Sequence, residues 1–428
     1  MNQRVIKKVR CNICSAGCPI DAYVEEGTLV SVEGSRDLPG QSGGLCSKGA
    51  ASRQYVYNKD RILYPMKRIG KKGSGEFERI SWDEAYRMIA ENLLRIKKEY
   101  GPQAAAFYAG YPKWYRPALL RLANAYGSPN YCTESSTCFQ SAAMAWKSIY
   151  GNDICFPDLM HAQTVLVWSN NLYHSNVGMA RPYQSLKARG AKIIAVDPRE
   201  TVTTQAADIH LKLLPGTDGA LALSMAQVII EEGLYDKEFV EKYVYGFEEY
   251  KAYVNQFPPE KAEKITGVDK KLIREAARMY ASNGPAGVMF SASPVVHNIN
   301  GMQNYRAVMC LIALTGNYDI PGGNPSRPGP VSPCNEYGKV KRLDTIEAIG
   351  EKDFPAWFDL PCEEAQCTRI ADYILSSHHT SDKRYYHLLH FLIHKIRCPW
   401  QHSGRKEQGR QSRQHLQLNS HRKHIHLR

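Results

Sequence analysis

Four cysteines near the amino terminus have the spacing of a metal-cluster site. Cys11, Cys14 and Cys18 lie within eight residues, and Cys46 follows after 27 intervening residues. Gly17 permits the tight turn that three thiolates around one centre require. Four thiolates bind either Zn²⁺ or a [4Fe–4S] cluster. Zinc ribbons pair two short CxxC knuckles, and the second is missing here, so the spacing favours the cluster; zinc and four unrelated buried thiols are the alternatives.

A lysine follows the fourth cysteine. Lys48 lies two residues beyond Cys46. A cation beside an iron–sulfur cluster raises the reduction potential of the cluster and can connect it to a neighbouring cofactor. The alternative is an ordinary surface lysine, so Lys48 is a candidate only if the cluster is present.

Polar residues also follow a predicted strand in the middle of the chain. Asp197 and Arg199 come directly after the apolar run 192–196. In a parallel sheet, the carboxyl ends of strands face the ligand crevice. Arg199 can bind a phosphate with two parallel hydrogen bonds, and Asp197 can accept from ribose hydroxyls. The alternative is a solvated ion pair in a turn.

A second candidate ligand turn precedes a strongly apolar helix. Gly216 lets a ligand approach the backbone of this turn, and Thr217 and Asp218 lead into the helix, whose amino end offers free N–H groups to a phosphate. Asp218 can accept both donors of a guanine edge, or it can serve as the helix N-cap. A GxGxxG motif is missing, so a nicotinamide dinucleotide fingerprint is not supported.

Alternating strands and helices must position these residues. Apolar runs predict strands at 164–168, 192–196, 209–213 and 287–291, and helical periodicity predicts helices at 178–188, 218–232, 237–243, 270–280 and 301–314. Earlier in the chain, Ser81 opens a capping-box pattern for a helix that stops near Gly101. This alternation predicts an α/β fold with a doubly wound, Rossmann-like parallel sheet.

Length and composition exclude collagen-like, coiled-coil and wholly disordered proteins. The chain has 428 residues, of which 43% are hydrophobic and 23% are charged, so we expect two or more globular domains. None of its apolar runs approaches the roughly 20 residues of a membrane helix, and the first ten residues lack a secretory signal. We therefore expect a cytoplasmic protein without membrane insertion, in which the twelve cysteines are metal ligands, buried thiols or catalytic residues and not disulfides.

The carboxyl-terminal 51 residues differ from the rest of the chain. Residues 378–428 contain ten of the 14 histidines and carry a net charge of +9, so the main body contributes only +4 of the total +13. This segment has the composition of a foreign or out-of-frame terminus, and a disordered basic tail is the alternative. Because it lacks a groove-reading motif, we expect no nucleic-acid partner.

The motifs together resemble one enzyme family. The run from Cys11 to Gly49, followed by RILYPM at 61–66 and ISWDEA at 80–85, is similar to the molybdopterin oxidoreductases of the dimethyl-sulfoxide-reductase type. The resemblance extends over about residues 4–376. It implies a small iron–sulfur domain, a [4Fe–4S] cluster, and molybdenum or tungsten held by molybdopterin guanine dinucleotides. It also implies that Lys48 conducts electrons between cluster and pterin.

The resemblance also assigns candidate residues. It implies that Cys138 ligates the metal, with Cys132 as second choice; a predicted helix beginning at Cys138 favours the thiolate, and a buried apolar residue is the alternative. Phe139 stands where formate dehydrogenases carry histidine, which counts against formate. The dinucleotide motifs of the family match Asn171, Asp197, Arg199, Gly216, Thr217 and Asp218. At Ser169, the family usually has glycine.

These inferences define the expected protein. We predict a cluster domain at 1–60, pterin-binding catalytic domains at 61–376 and an aberrant tail at 377–428. The expected function is a two-electron oxidoreductase with a small-molecule substrate, whose electrons pass singly through the cluster to an electron-transfer subunit or ferredoxin. The alternatives are an inactive truncated chain and a hydratase that uses the same cofactors without net redox change.

Overall fold

A computed structural model describes most of the chain in two compact units. The described residues are 4–13, 17–38, 44–110, 115–151, 154–175, 179–291, 295–326 and 348–353, with the backbone of 387–390 and 425–426. One unit comprises Met1–Glu134, Ser332–Phe358 and Glu363–Ile396, and the other comprises Ser135–Val331, Asp359–Cys362 and Arg397–Arg428. Each unit is treated separately below.

Fourteen strands and fourteen α-helices are formed by the described residues. The strands are β1 (Arg4–Arg10), β2 (Pro19–Glu25), β3 (Thr28–Gly34), β4 (Met66–Arg68), β5 (Phe77–Arg79), β6 (Ala105–Ala109), β7 (Tyr131–Thr133), β8 (Thr164–Trp168), β9 (Lys192–Val196), β10 (Ile209–Leu211), β11 (Val244–Tyr245), β12 (Ala286–Phe290), β13 (His387–His390) and β14 (Ile425–His426). The helices are α1 (Ser47–Ala50), α2 (Ser52–Val56), α3 (Trp82–Tyr100), α4 (Arg116–Tyr126), α5 (Gln140–Tyr150), α6 (Leu172–Ser175), α7 (Ala180–Ala188), α8 (Val202–Gln205), α9 (Asp218–Glu231), α10 (Lys237–Tyr243), α11 (Phe247–Val254), α12 (Pro259–Thr266), α13 (Lys270–Ser282) and α14 (Gly301–Leu314).

The first unit begins with an antiparallel sheet in the order β1-β2-β3. Arg10 pairs with Pro19 at one end of the β1–β2 ladder, so the cysteine-rich segment is the connection between these strands. Glu26 and Gly27 both have positive φ in the turn between β2 and β3, which is the backbone of a tight hairpin. Ile20 and Ala22, two positions apart in β2, are buried and lie on the same face of the sheet.

The first unit also contains a small parallel sheet in the order β13-β6-β7. Helix α3 packs against this sheet through Leu93, which is buried together with Phe107 and Leu119. Ser81 is the N-cap of α3, and its Oγ accepts a hydrogen bond from the Glu84 N–H at 3.1 Å. The predicted cap and the stop at Gly101 are therefore confirmed.

The second unit is built on a four-stranded parallel sheet in the order β10-β9-β8-β12. The chain moves outward from β8 through β9 to β10 and then returns to the other side of β8 with β12. This reversal is the defining feature of a doubly wound sheet, so the predicted fold class is confirmed. Strands β8 and β12 are buried at every position, which explains their continuous apolar sequences.

Buried helices form the core around this sheet. Helix α14 packs against both α9 and α5, and eleven of its fourteen residues are buried. The boundaries predicted for the second unit agree within two residues, and β10 ends at Leu211 instead of 213. The Leu213 N–H bonds the Leu211 carbonyl at 3.2 Å, and this local turn takes the chain out of the ladder. Helices α11 and α12 were not predicted.

Side-chain amides cover the outer edge of β12. Asn317 Oδ1 accepts from the Ala286 N–H, and Asn324 Oδ1 accepts from the Val288 N–H, both at 2.8 Å. Both asparagines are buried. These bonds satisfy donors that would otherwise be exposed along a sheet edge. Within the described residues, the structure contains no helix with the length and hydrophobicity needed to cross a membrane.

Candidate functional site

The loop between β1 and β2 presents two of the predicted cluster ligands. Cys11 directly follows β1 and Cys18 directly precedes β2, and the Cys11 N–H donates to the Cys18 carbonyl at 2.8 Å. Gly17 has φ +56°, the left-handed conformation predicted for the turn. The Arg10 guanidinium donates to the Gly17 carbonyl at 3.0 Å. The base of the loop is thus closed by backbone bonds.

The fourth predicted ligand lies at the start of α1. Cys46 is the half-buried N-cap of this short helix. A Cβ added at Gly49 would lie 3.9 Å from Cys11 Sγ, so α1 passes close to the first cysteine. Lys48 is exposed on the same helix. The segments that carry Cys11 and Cys46 are therefore neighbours in the first unit.

The donor chemistry of this region fits an iron–sulfur cluster. Cys11, Cys18 and Cys46 supply only thiol groups, and Cys14 lies outside the described residues. In the part of the chain that the structure describes, no group of three His, Cys, Asp or Glu side chains is gathered closely enough to hold a metal ion. The assignment of the four cysteines as one ligand set therefore stays a prediction.

The two cysteines proposed as metal ligands have different surroundings. Cys132 is fully buried in β7, whereas Cys138 is half-buried in a turn. The expectation that Cys138 opens α5 is wrong by two residues, since the helix begins at Gln140 with Phe139 as its N-cap. A single 3₁₀ turn at Glu134–Thr137 occupies the chain just before it, and the Cys138 N–H donates to the Ser135 carbonyl at 3.1 Å.

Beyond the carboxyl end of β8, the backbone takes an unusual conformation. Ser169 has φ +52°, the left-handed region that glycine normally occupies. Its N–H donates to the Val196 carbonyl at 2.7 Å and so fixes the end of β8 against β9. The residue that departs from the family pattern therefore keeps the backbone that a glycine would give.

Beyond β9, a second turn contains Arg199, the residue predicted to bind a phosphate. Asp197 is buried, and its Oδ1 accepts from the Arg199 N–H at 2.9 Å. The Arg199 side chain is 70% exposed, and its Nε is 3.9 Å from the Asp197 carboxylate. Asp197 therefore shapes the turn, while most of the guanidinium remains available for a ligand.

A cavity of about 570 Å³ opens at this edge of the sheet. Its lining consists of Asn171, His174, Ser175, Arg199, Glu200, Thr201, Val202 and Gln205. The Oδ1 atom of Asn171 is buried and has no hydrogen-bond partner among the described residues. An unpaired acceptor together with an exposed guanidinium fits a ligand that carries both hydrogen-bond donors and phosphates. Asn171 and Arg199, predicted from separate motifs, are thus brought together.

The third predicted motif forms the turn before α9. Gly216 has φ +84°, and Thr217 is the N-cap of the helix. Asp218 is the first helical residue, so its alternative assignment as N-cap is wrong. It is only 4% exposed, and its Oδ1 accepts from Trp168 Nε1 at 2.7 Å. Burial raises the pKa of the Asp218 carboxyl, and the indole hydrogen bond partly opposes this shift.

Two protein-family models match the chain. The family model described as the Fe4S4 domain of molybdopterin oxidoreductases matches residues 6–58, and the molybdopterin oxidoreductase model matches residues 61–356. The chain belongs to the molybdopterin oxidoreductase family. These two matches assign a [4Fe–4S] cluster and a molybdopterin cofactor with molybdenum or tungsten to the chain.

Several named relatives are similar to this chain. Acetylene hydratase of Syntrophotalea acetylenica is 36% identical over 361 residues, which are 82% of the chain and 49% of the relative. The molybdopterin-containing subunit of thiosulfate reductase of Salmonella typhimurium is 32% identical, covering 81% of the chain and 45% of the relative. Formate dehydrogenase H of Escherichia coli is 35% identical, covering 74% and 46%.

A solved structure shows the same likeness. Acetylene hydratase from Pelobacter acetylenicus superposes with a TM-score of 0.67 at 35% identity, covering 72% of this chain and 43% of that one. The chain therefore spans just under half the length of the relatives that it matches.

The contacts that Trp168 and Asn304 make in the site were not predicted from the sequence. Trp168 was assigned to the end of a strand and to a family dinucleotide motif with Asn171, and Asn304 was assigned only to a helix. Yet Trp168 fixes Asp218, and Asn304 bonds the turn before α9. One sequence signal could have identified Asn304: it is an asparagine inside an apolar helix, where its intrinsic helix propensity is low.

Proposed function

We propose that the chain holds the cluster and pterin of an oxidoreductase acting on a small-molecule substrate. The observation that supports this function is the cavity beyond β8 and β9, where Asn171 and Arg199 lie together. In this proposal, residues 1–60 form the cluster domain, residues 61–376 form the pterin-binding domains and residues 377–428 form the tail. When bound, the cofactors supply two-electron chemistry at the metal and one-electron transfer at the cluster.

The residues of the second unit would bind and orient the dinucleotide. The exposed Arg199 guanidinium would bind a phosphate with a pair of charge-assisted hydrogen bonds. The unpaired Asn171 Oδ1 would accept one of the ligand's donors, and Gly216 and Thr217 would offer the open amino end of α9. The buried Asp218 carboxylate would accept from the guanine edge, and Cys138 would ligate the metal as a thiolate.

The residues of the first unit would carry electrons away from the metal. Cys11, Cys14, Cys18 and Cys46 would each bind one iron, and the exposed Lys48 ammonium would stabilise added negative charge beside the cluster. A [4Fe–4S] cluster accepts one electron at a time, so a two-electron reaction would require two transfers through it. The acceptor would be an electron-transfer subunit or a ferredoxin.

Elemental and nucleotide analysis tests the cofactor assignment. Anaerobically purified protein should contain about four iron atoms per chain, together with molybdenum or tungsten and GMP released by acid. Cys18→Ser should lose iron, while Cys310→Ser, which changes a buried thiol outside the loop, should retain it. Iron well below four per chain in the unmodified protein would overturn the cluster.

A matched pair of variants tests whether Arg199 binds a phosphate in the cavity. Arg199→Ala should lose GMP, whereas Lys212→Ala should keep it, because Lys212 pairs with Glu200 at 3.2 Å and is absent from the cavity lining. Equal GMP content in both variants would contradict the proposal that Arg199 binds a phosphate.

A second candidate function is hydration of a small unsaturated substrate. The similarity to acetylene hydratase in both sequence and structure favours it. Addition of water leaves the oxidation state of an electron acceptor unchanged. Substrate-dependent reduction of an oxidised viologen dye, or oxidation of a reduced one, would therefore support the oxidoreductase. Product formation without a change in the dye would support the hydratase. Cofactor-loaded protein that shows neither reaction would indicate an inactive chain.

A further inference from the structure

One buried amide links the turn before α9 to the neighbouring helix. Asn304 of α14 is 6% exposed. Its Oδ1 accepts from the Gly219 N–H at 3.2 Å, and its Nδ2 donates to the Gly216 carbonyl at 3.3 Å. The same Nδ2 lies 3.2 Å from Asn298 Oδ1. The side chain therefore bonds the turn at both of its ends.

The backbone of the turn is shaped to receive this amide. A Cβ added at Gly219 would lie 2.5 Å from Asn304 Oδ1, so a larger residue would displace the amide. Gly216, at the other end of the bridge, has φ +84°, which disfavours residues with a side chain. The two glycines and the asparagine thus form one fitted contact.

The residues between the two anchor points are those proposed to receive the ligand. Thr217 and Asp218 lie between Gly216 and Gly219, and Asp218 is held a second time by Trp168 at 2.7 Å. A turn fixed before the ligand arrives loses less conformational entropy on binding. The amide therefore acts on the ligand through the backbone that it holds.

We propose that Asn304 is a positioning residue that preorganises the 216–219 turn for the guanine end of the dinucleotide. This inference rests on the proposed function, because it assumes that the turn binds guanine. Asn304 itself is not placed in contact with the ligand. It holds the peptide groups whose direction sets the position of the Asp218 carboxylate.

A second buried asparagine provides a matched control. Asn324 is fully buried, its Oδ1 accepts from the Val288 N–H, and its Nδ2 donates to the carbonyls of Cys155 and Val288. Asn304→Asp and Asn324→Asp are therefore the same chemical change: each keeps the accepting oxygen and replaces a doubly used donor with an oxygen. Both should lower thermal stability.

The experiment measures GMP retained per chain in cofactor-loaded protein after gel filtration. Asn304→Asp should retain about tenfold less GMP than the unmodified chain, while Asn324→Asp should stay close to it. Equal retention by all three proteins would overturn the inference and leave the proposed function intact. GMP missing from the unmodified chain itself would overturn the proposed function.

A measurement that needs no cofactor completes the test. Hydrogen exchange of peptides covering 214–221 should be faster in Asn304→Asp than in Asn324→Asp, because only the first variant frees the turn. Gly219→Ala, which keeps a good helix residue but displaces the amide, should show the same faster exchange and the same loss of GMP. Unchanged exchange in both Asn304→Asp and Gly219→Ala would contradict the positioning role.

Discussion

The Trp168–Asp218 pair buries a carboxylate beside an indole donor. Burial raises the pKa of Asp218 above its ordinary value near 3.8. As pH rises above that value, Asp218 keeps its proton in the folded state after it has lost it in the unfolded state. The contribution of Asp218 to the free energy of unfolding is therefore full at low pH. It is lost as pH rises through the raised pKa.

This sign leads to a pH prediction for Asp218→Asn. Because asparagine does not titrate, the free energy of unfolding of the variant should improve relative to that of the unmodified chain between about pH 4 and pH 7. Urea unfolding at both pH values measures the difference. Trp168→Phe, which removes the donor that lowers the pKa, should show a steeper loss of stability over the same range. A difference that shrinks with rising pH would contradict the assignment.

Ser169 gives a prediction about backbone conformation. Its φ of +52° costs a residue with a Cβ about 1 kcal/mol, and glycine avoids this cost. Both Ser169→Gly and Ser169→Ala remove the hydroxyl. We therefore expect the glycine variant to be more stable than the alanine variant in denaturant unfolding. The difference should be about 1 kcal/mol at most, because the unfolded chain gains more conformational entropy from glycine and this opposes the gain in the folded state. An alanine variant of equal or greater stability would show that the strain is absent.

At the residue scale, local sequence predicted that Arg199 lies just beyond the end of a strand, and the resemblance to the family singled out Asn171 beyond the neighbouring strand. Both positions could be predicted because strands β8 and β9 are recognisable in the sequence. Asn304 could not, since its partners lie 85 and 88 positions earlier in the chain. Spacing along a sequence carries no information about contacts formed only by packing.

At the element scale, α3 shows how far local signals extend. The cap at Ser81, the buried Leu93 and the stop at Gly101 all follow from sequence. Ser81→Ala should lower the free energy of unfolding of the protein by about 1 kcal/mol, because it leaves the Glu84 N–H without its side-chain acceptor. Ser47→Ala serves as the control, since Ser47 is the first residue of α1 and not its N-cap. Equal effects of the two changes in thermal unfolding would contradict the cap.

The antiparallel sheet β1–β3 shows where local signals fail. Strand β1 is exposed at all seven positions and carries four basic residues, so it has neither the apolar run nor the one-sided burial that identifies a strand. Its structure depends on pairing with β2, whose residues are more buried. The predicted ranges of β8 and β9 match the structure, because burial on both faces of a sheet imposes a continuous apolar sequence.

At the scale of the whole molecule, the first unit carries considerable exposed apolar surface. A cavity of about 400 Å³ is lined by Arg61, Ile62, Leu63, Tyr64, Met66 and Phe77. Ile62 and Leu63 are 78% and 68% exposed. Contiguous apolar surface of this kind promotes association in solution.

Charged substitutions in this surface should therefore change the behaviour of the whole protein. The double variant Ile62→Lys, Leu63→Glu should reduce binding of an apolar fluorescent dye and reduce self-association in sedimentation, with little change in unfolding, because neither side chain is buried. Leu272→Glu, at a less exposed position of the second unit, is the control and should leave dye binding nearly unchanged. Undiminished dye binding by the double variant would place the apolar surface elsewhere.

The hairpin that joins Cys11 to Cys18 has a consequence for the order of assembly. Its ladder and the backbone bond at its base are contacts between protein groups. These contacts, and not bonds to a metal, therefore offset the entropy of closing that loop. A metal bound by Cys11 and Cys18 would join two donors that the hairpin already tethers, so the chelate effect would strengthen binding by this pair.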